Sequence, residues 1–207
     1  MKRIRTKLIR ILLIVGVASF MAMTGSIAQQ PIQDLQQGQA LSDARQVSSE
    51  LAEKVRGLLL QEIGKGGFAN AVKVCSDTAQ QMIRAFNART GHTVRRVSVK
   101  YRNPQNVPDE YERRKLEELD LLNRKKEMGN EYYEVVEDQG KRYLRYLKPL
   151  LVLPLCINCH GPKENISADV MSILAEKYPE DRATGFLVGD LRGAISAKIV
   201  LPARGTK

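Results

Sequence analysis

EYYEVVE (131–137), then Asp138-Gln139-Gly140, then KRYLRYL (141–147): this stretch decides the fold. Two runs rich in tyrosine, valine and leucine flank a turn that ends in glycine, which is the signature of a β-hairpin. Further along, Ala194–Leu201 gives the plainest strand of the chain. Ile195, Ala197, Ile199 and Leu201 fall on one side of it, and Ser196 and Lys198 on the other. Upstream, residues 93–101 alternate more loosely and are rich in valine, which predicts another strand. Strands joined by a hairpin or by long excursions pair antiparallel, so the class expected is α+β, an antiparallel sheet with helices packed against it.

The helices read from their apolar spacing. From Leu41, apolar side chains recur at Ala44, Val47, Leu51, Val55, Leu58, Leu59 and Ile63, and Gly64-Lys65-Gly66-Gly67 ends the run. A second stripe carries Phe68, Ala71, Val72, Cys75, Ala79, Met82, Ile83 and Phe86, and Gly91 closes it. Arg102 to Pro108 reads as a rigid turn. Pro108 then opens a mostly charged surface helix that runs to about Lys126. Ser167 to Tyr178 is a further helix, stopped by Pro179.

The N-terminus reads as an export signal over residues 1–28. Lys2, Arg3, Arg5, Lys7 and Arg10 precede an apolar run from Ile11 to Met23, and Ser26 and Ala28 supply the small residues of a cleavage site. That run is short for a bilayer crossing, so the chain meets a membrane only if the segment stays uncleaved. Cleavage after Ala28 removes five cations and no anion. The formal charge of +10 then drops to +5, too little to indicate nucleic acid. Residues 29–40 are Gln-rich and read as a linker, which leaves residues 41–205 as one domain.

Three cysteines are an odd number for an exported chain, so each needs an occupation beyond a single disulfide. Cys156-Ile157-Asn158-Cys159-His160 supplies one: Cys-x-x-Cys-His is the attachment pattern of c-type haem. Thiols three residues apart lie about one helical turn from each other and can add to the two vinyl groups on one porphyrin edge. The next residue, His160, is placed to offer an imidazole nitrogen to the iron. Export and attachment support each other, because the haem is attached after translocation. A structural zinc site built from Cys75, Cys156, Cys159 and His160 is the rival on inventory alone. Adjacent Cys159 and His160 would strain to reach one small ion together.

Iron held by one histidine leaves a sixth position. The candidates are Cys75, His92, and methionines such as Met82, Met128 and Met171. Cys75 is the thiol that thioether chemistry leaves over. It shares its helical face with Ala71 and Ala79, whose small side chains would let a flat ring approach. A buried core cysteine is the other reading of the same position.

The stretches Val74-Cys75-Ser76, VRRVSVKYRNPQNVPDEYE (94–112), Cys156 to Gly161, Thr184-Gly185-Phe186 and GDLRGA (189–194) resemble a bacterial family, well represented in cyanobacteria, that carries a c-type haem on a PAS-like fold. Related domains stand ahead of histidine kinases. The resemblance spans nearly the whole chain after residue 28. It implies a PAS-like sheet and one haem c, held by Cys156 and Cys159 with His160 as proximal ligand. It also places Cys75 where the family has its second axial ligand. Redox sensing or electron transfer is the function it implies, and no kinase or other output domain is evident in this sequence.

A thiolate ligand stabilises ferric iron and lowers the potential. A small gas such as CO or NO would then compete for the position on reduction. Arg96 and Lys100, from the run Arg95, Arg96, Lys100 and Arg102, are candidates to neutralise the haem propionates. An enzyme is not expected, because catalysis at haem needs an open iron position. The compartment expected is the periplasm or the thylakoid lumen, with a redox protein as partner.

Overall fold

The computed structural model describes residues 29–203; the expected export signal and the last four residues lie outside them. A four-stranded antiparallel sheet organises the chain, with β1 (Thr93–Val97), β2 (Tyr132–Asp138), β3 (Lys141–Leu151) and β4 (Leu191–Leu201) in the order β1-β4-β3-β2. The hairpin is β2–β3, turned at Gln139 and Gly140, both in left-handed backbone. β3 and β4 make the centre of the sheet, and β4 carries the alternation read from its sequence.

Alternation divides two cores between the two faces. On one face Val94, Leu144, Tyr146, Ile195, Ala197, Ile199 and Leu201 pack against a long helix, α1 (Gln29–Thr90). On the other, Val97, Leu147 and Ala194 meet Leu116 of α2 (Glu110–Lys125). The α+β expectation is met, with the PAS-like arrangement of helices around an antiparallel sheet.

α1 is two helical limbs joined at Gly66 (φ −161°, ψ 26°) and Gly67 (φ 73°, ψ −169°). Gly67 is in the left-handed region that glycine enters without steric cost. Asn70 seals the break, its Nδ2 donating to the backbone oxygen of Glu62 at 2.9 Å and to its carboxylate at 3.0 Å. The first limb lays Ala40, Leu41, Ala44, Val47 and Leu51 on the sheet. The second returns Ile83 and Phe86 to the same core.

Three expectations are corrected. Residues 29–40 are not a linker: they are the start of α1, because glutamine is a good helix former and Ala40 is buried on the sheet. The strand expected over 93–101 stops at Val97. Ser98 turns away, its hydroxyl hydrogen-bonded at 3.0 Å to the backbone oxygen of Lys100 and at 2.8 Å to that of Arg192. Pro108 does not open α2. Asp109 does, through a capping box with Glu112 in which each side chain accepts the other's backbone N–H. Among the described residues no helix is long and apolar enough to cross a membrane.

Candidate functional site

The motif lies in a short 3-10 turn (Pro154–Cys156) that runs into a one-turn helix, α3 (Ile157–His160). Gly161 ends it, and only glycine fits there: a Cβ would lie 2.7 Å from both Cγ2 and the backbone oxygen of Ile157. Backbone bonds fasten the motif to residues 183–186. Phe186 N–H donates to the His160 oxygen at 2.9 Å, and Gly185 N–H to the Gly161 oxygen at 2.8 Å. Val152, Ala183 and Phe186 form a small core beneath it, against which Cys156 and Ile157 pack.

His160 is the most constrained side chain of the group. Its Nδ1 lies 2.7 Å from the Ala183 backbone oxygen, and Phe186 meets its ring edge-on at 6.3 Å. A carbonyl can only accept, so Nδ1 carries the proton and Nε2 keeps its lone pair, the tautomer a metal ligand requires. Burial, followed by the charges of Arg192 and Arg102, holds the ring well below its ordinary 6.5, so it is neutral near pH 7.

All three cysteines are free thiols, each partly buried. Burial pushes the Cys159 thiol up, opposed by Arg102, and Cys159 also feels the charges of Cys156 and Cys75. Cys159 packs in one cluster with Phe68, Ala69 and Val72 of the second α1 limb and with Val170 and Leu174 of α4 (Ala168–Lys177). Cys75, one turn beyond Val72, is thereby carried to the motif. Its thiol too is raised by burial and lowered by Arg96.

The other sixth-position candidates are placed differently. His92 follows the end of α1, its backbone N–H 3.4 Å from the Thr90 hydroxyl, and the whole of β1 lies between it and Ser98. Met171 packs in the Cys159 cluster. Among the described residues, no three His, Cys, Asp or Glu side chains converge to hold a metal ion, so the four zinc candidates are not gathered into one site.

Three guanidiniums depress the proton affinity of His160: Arg192, Arg102 and Arg96. Arg102 pairs with Asp181 at 3.0 Å and donates to the Cys159 oxygen at 2.5 Å. Arg192 donates to the Ser98 hydroxyl at 2.9 Å and the Lys100 oxygen at 3.1 Å, both uncharged acceptors, and burial pulls it down to about 9. Arg96 leaves β1 on the α1 face, two residues beyond Val94. It has no ion pair among the described residues, and its Nε is buried without a partner. Against these three cations stands the carboxylate of Asp181.

Lys100 adjoins Arg192 but differs from that set in its exposure. It is exposed, donates to the Thr184 oxygen at 2.7 Å, and lies 4.3 Å over the Phe186 ring. With Phe186 and Arg192 it lines a cleft of about 360 Å³ against α2, which none of the three thiols nor His160 borders. Arg192 was not singled out from sequence as a charge partner, although it lies inside GDLRGA (189–194). Its contact with the site depends on Ser98 turning out of the sheet.

Residues 26–200 match the Tll0287-like family, whose description is Tll0287. The crystal structure of the cyanobacterial heme-protein Tll0287 is similar to this chain, with 26% sequence identity and a TM-score of 0.56; the match covers 82% of this chain and 96% of that one. No curated protein matches.

Proposed function

This chain belongs to the Tll0287-like family, and from that premise we propose that it is an exported c-type haem protein acting in redox sensing or electron transfer. The solved relative is a heme-protein by its name, and this chain carries a donor set that fits one haem c. Cys156 and Cys159 would hold it by thioether bonds, His160 would bind the iron through Nε2, and Cys75 would be the second axial ligand. The bound group would supply a one-electron Fe(III)/Fe(II) couple.

The observation that carries the reading is the state of His160 directly after the two free thiols of its motif. Its Nδ1–H is committed to the Ala183 oxygen and its ring is neutral, so Nε2 is fixed as a donor before any metal arrives. The charge set around it supports the same reading. Arg96, Arg102 and Arg192 against Asp181 leave two positive charges uncompensated, the number that two propionates would balance. Arg96 and Arg192 then take the propionate role expected of Arg96 and Lys100. The export signal read at residues 1–28 points to the periplasm or the thylakoid lumen.

Protein made in a host competent for cytochrome c maturation should be coloured. It should give a pyridine haemochrome and a mass one haem above the bare polypeptide. Replacing Cys156 and Cys159 by alanine should abolish the covalent adduct. Colourless protein of bare mass would overturn the proposal. In the ferric holo-protein, Cys75→Ser should remove low-spin thiolate features, and an unchanged spectrum would return the sixth position to Met171 or His92.

A second reading, binding of CO or NO, has one observation in its favour. Burial raises the Cys75 thiol, so a Cys75 displaced on reduction would be held as the neutral, weaker donor. A CO-induced shift in the ferrous spectrum is the expected sign.

A further inference from the structure

The ring of His160 is held by a carbonyl that belongs to a loop. Ala183 lies between α4 and β4, where neither helix nor sheet fixes the backbone. It is fully buried, and its oxygen is 2.7 Å from Nδ1 of His160. Loop backbone moves more freely than the elements it connects, so the aim of this carbonyl depends on what fastens it. On its C-terminal side the loop is bonded to the motif through Gly185 and Phe186. On its N-terminal side the fastening comes from two charged side chains.

Asp181 closes a two-residue turn, its Oδ1 accepting the Ala183 N–H at 2.7 Å. Its Oδ2 accepts from Nε of Arg102 at 3.0 Å. Nη2 of the same guanidinium donates to the Cys159 oxygen at 2.5 Å and reaches the Ala183 oxygen at 3.4 Å. The Arg182 N–H, bonded to the Tyr101 oxygen at 3.0 Å, keeps Arg102 beside the loop. One planar fork thus ties the residue that precedes His160 to the residue that His160 bonds. A lysine has no such fork, because its ammonium is a single point.

The pair is shielded from water, each side chain being 12% exposed. Burying an ion pair costs about as much in desolvation as it returns in attraction, so its yield is geometry rather than stability. The pairing also sets Arg102 apart from Arg96 and Arg192. Those two have no ion pair among the described residues, whereas Arg102 is neutralised where it stands.

We propose that Arg102 and Asp181 are positioning residues for the proximal ligand: together they fix the Ala183 carbonyl, and through it the orientation and donor strength of the His160 imidazole. The inference rests on the haem reading above and concerns how that ligand is aimed. Neither residue binds the iron. A well-accepted Nδ1–H leaves more electron density on Nε2, and a richer donor favours ferric over ferrous iron. Loosening the carbonyl therefore raises the midpoint potential.

The test compares Asp181→Asn with Asp181→Ala in holo-protein. Both remove the same charge, but asparagine keeps an oxygen for the Ala183 N–H. Asp181→Ala should weaken the ferric preference of the ligand about tenfold relative to Asp181→Asn, the low end for groups that orient a metal ligand, which reads as a midpoint potential about 59 mV higher. The low-spin ferric g values, which follow the orientation of an axial imidazole, should shift in Asp181→Ala and stay near the parent's in Asp181→Asn. Arg102→Lys keeps the charge and loses the fork, so its potential should rise as well. A merely structural role would lower the urea midpoint of both Asp181 variants without separating their potentials or g values, and that outcome overturns the proposal. Should Asp181→Ala fail to load haem, Arg102→Lys decides alone: a parent potential and parent g values overturn it. A colourless parent sinks the functional proposal as well, whereas a coloured parent with inseparable variants sinks this one alone.

Discussion

Two regions of the molecule bury arginine, and they treat it in opposite ways. On the α2 face, Arg145 is closed in by its own protein. Its side chain is 7% exposed, pairs with Asp109 at 2.8 Å and Glu112 at 3.5 Å, and stacks over Tyr111 at 4.2 Å. Around the Cys-x-x-Cys-His motif, Arg96, Arg102 and Arg192 all act on His160, and Arg102 alone of the three has an ion pair among the described residues, with Asp181. The distinction is not in orphaned nitrogens, since the Nε of Arg145 is as unpartnered as those of Arg96 and Arg192. It is in carboxylates: in the first region Arg145, with Arg95 at 3.9 Å from Glu112, has two, whereas the three arginines of the second have one. A buried charge without a counter-charge destabilises the fold, so the second region is electrostatically incomplete until an anion joins it. The first is scaffold, and the second is where the proposed haem propionates would sit.

The largest expected effect comes from breaking the closed region. Arg145→Met should cost about 3 kcal/mol in urea unfolding, because it leaves the buried Glu112 carboxylate with only Arg95, at 3.9 Å, and removes a partner of the half-exposed Asp109. Haem content per folded molecule should be unchanged. A loss under about 1 kcal/mol would mean that the network does not matter to the scaffold.

Arg96→Met sharpens the contrast through its sign. In haem-free protein it should stabilise by about 1–2 kcal/mol, because an uncompensated buried charge is replaced by a methionine of similar length. In haem-loaded protein it should destabilise and lower the midpoint potential, since a cation that disfavours ferric iron has gone. The same sign in both forms would break the comparison.

The smallest effect is a pH dependence in the closed region. Burial alone would raise the Asp109 carboxyl, but the Glu112 backbone N–H and the Arg145 guanidinium hold it below its ordinary 3.8. A carboxyl depressed by folding contributes fully above its unfolded value, and that contribution is lost as pH falls through the folded one. The urea midpoint of Asp109→Asn should therefore lie below the parent's at pH 6, and the gap should close toward pH 3. Asp109 is half-exposed, so the gap should be modest. A gap that does not vary with pH would remove the carboxylate from the account.

Legibility in the sequence followed how local each interaction is. The hairpin at Gln139-Gly140 and the alternation of Ala194–Leu201 were readable because turn and pleat depend on neighbours. The Gln-rich start of α1 misled, because its polar composition hides a good helix former whose anchor, Ala40, is set by a sheet more than fifty residues away. Residues 98–101 misled in the same way. Their valine and charge pattern continues β1, but the hydroxyl of Ser98 finds the oxygen of Arg192.

What the sequence determined by itself is the class of fold and the donor set from which the covalent attachment is proposed. Two thiols three residues apart and the histidine after them are a matter of chain spacing, and the strand and helix periods are a matter of backbone geometry. What only the tertiary structure decided is the electrical setting: which nitrogen of His160 carries the proton, which limb of α1 brings Cys75 toward Cys159, and which three arginines act on His160. Those groups come from positions 75, 96, 102, 159, 160 and 192. Coulomb forces and desolvation act through space, so no local pattern could announce them before the chain had closed around the site.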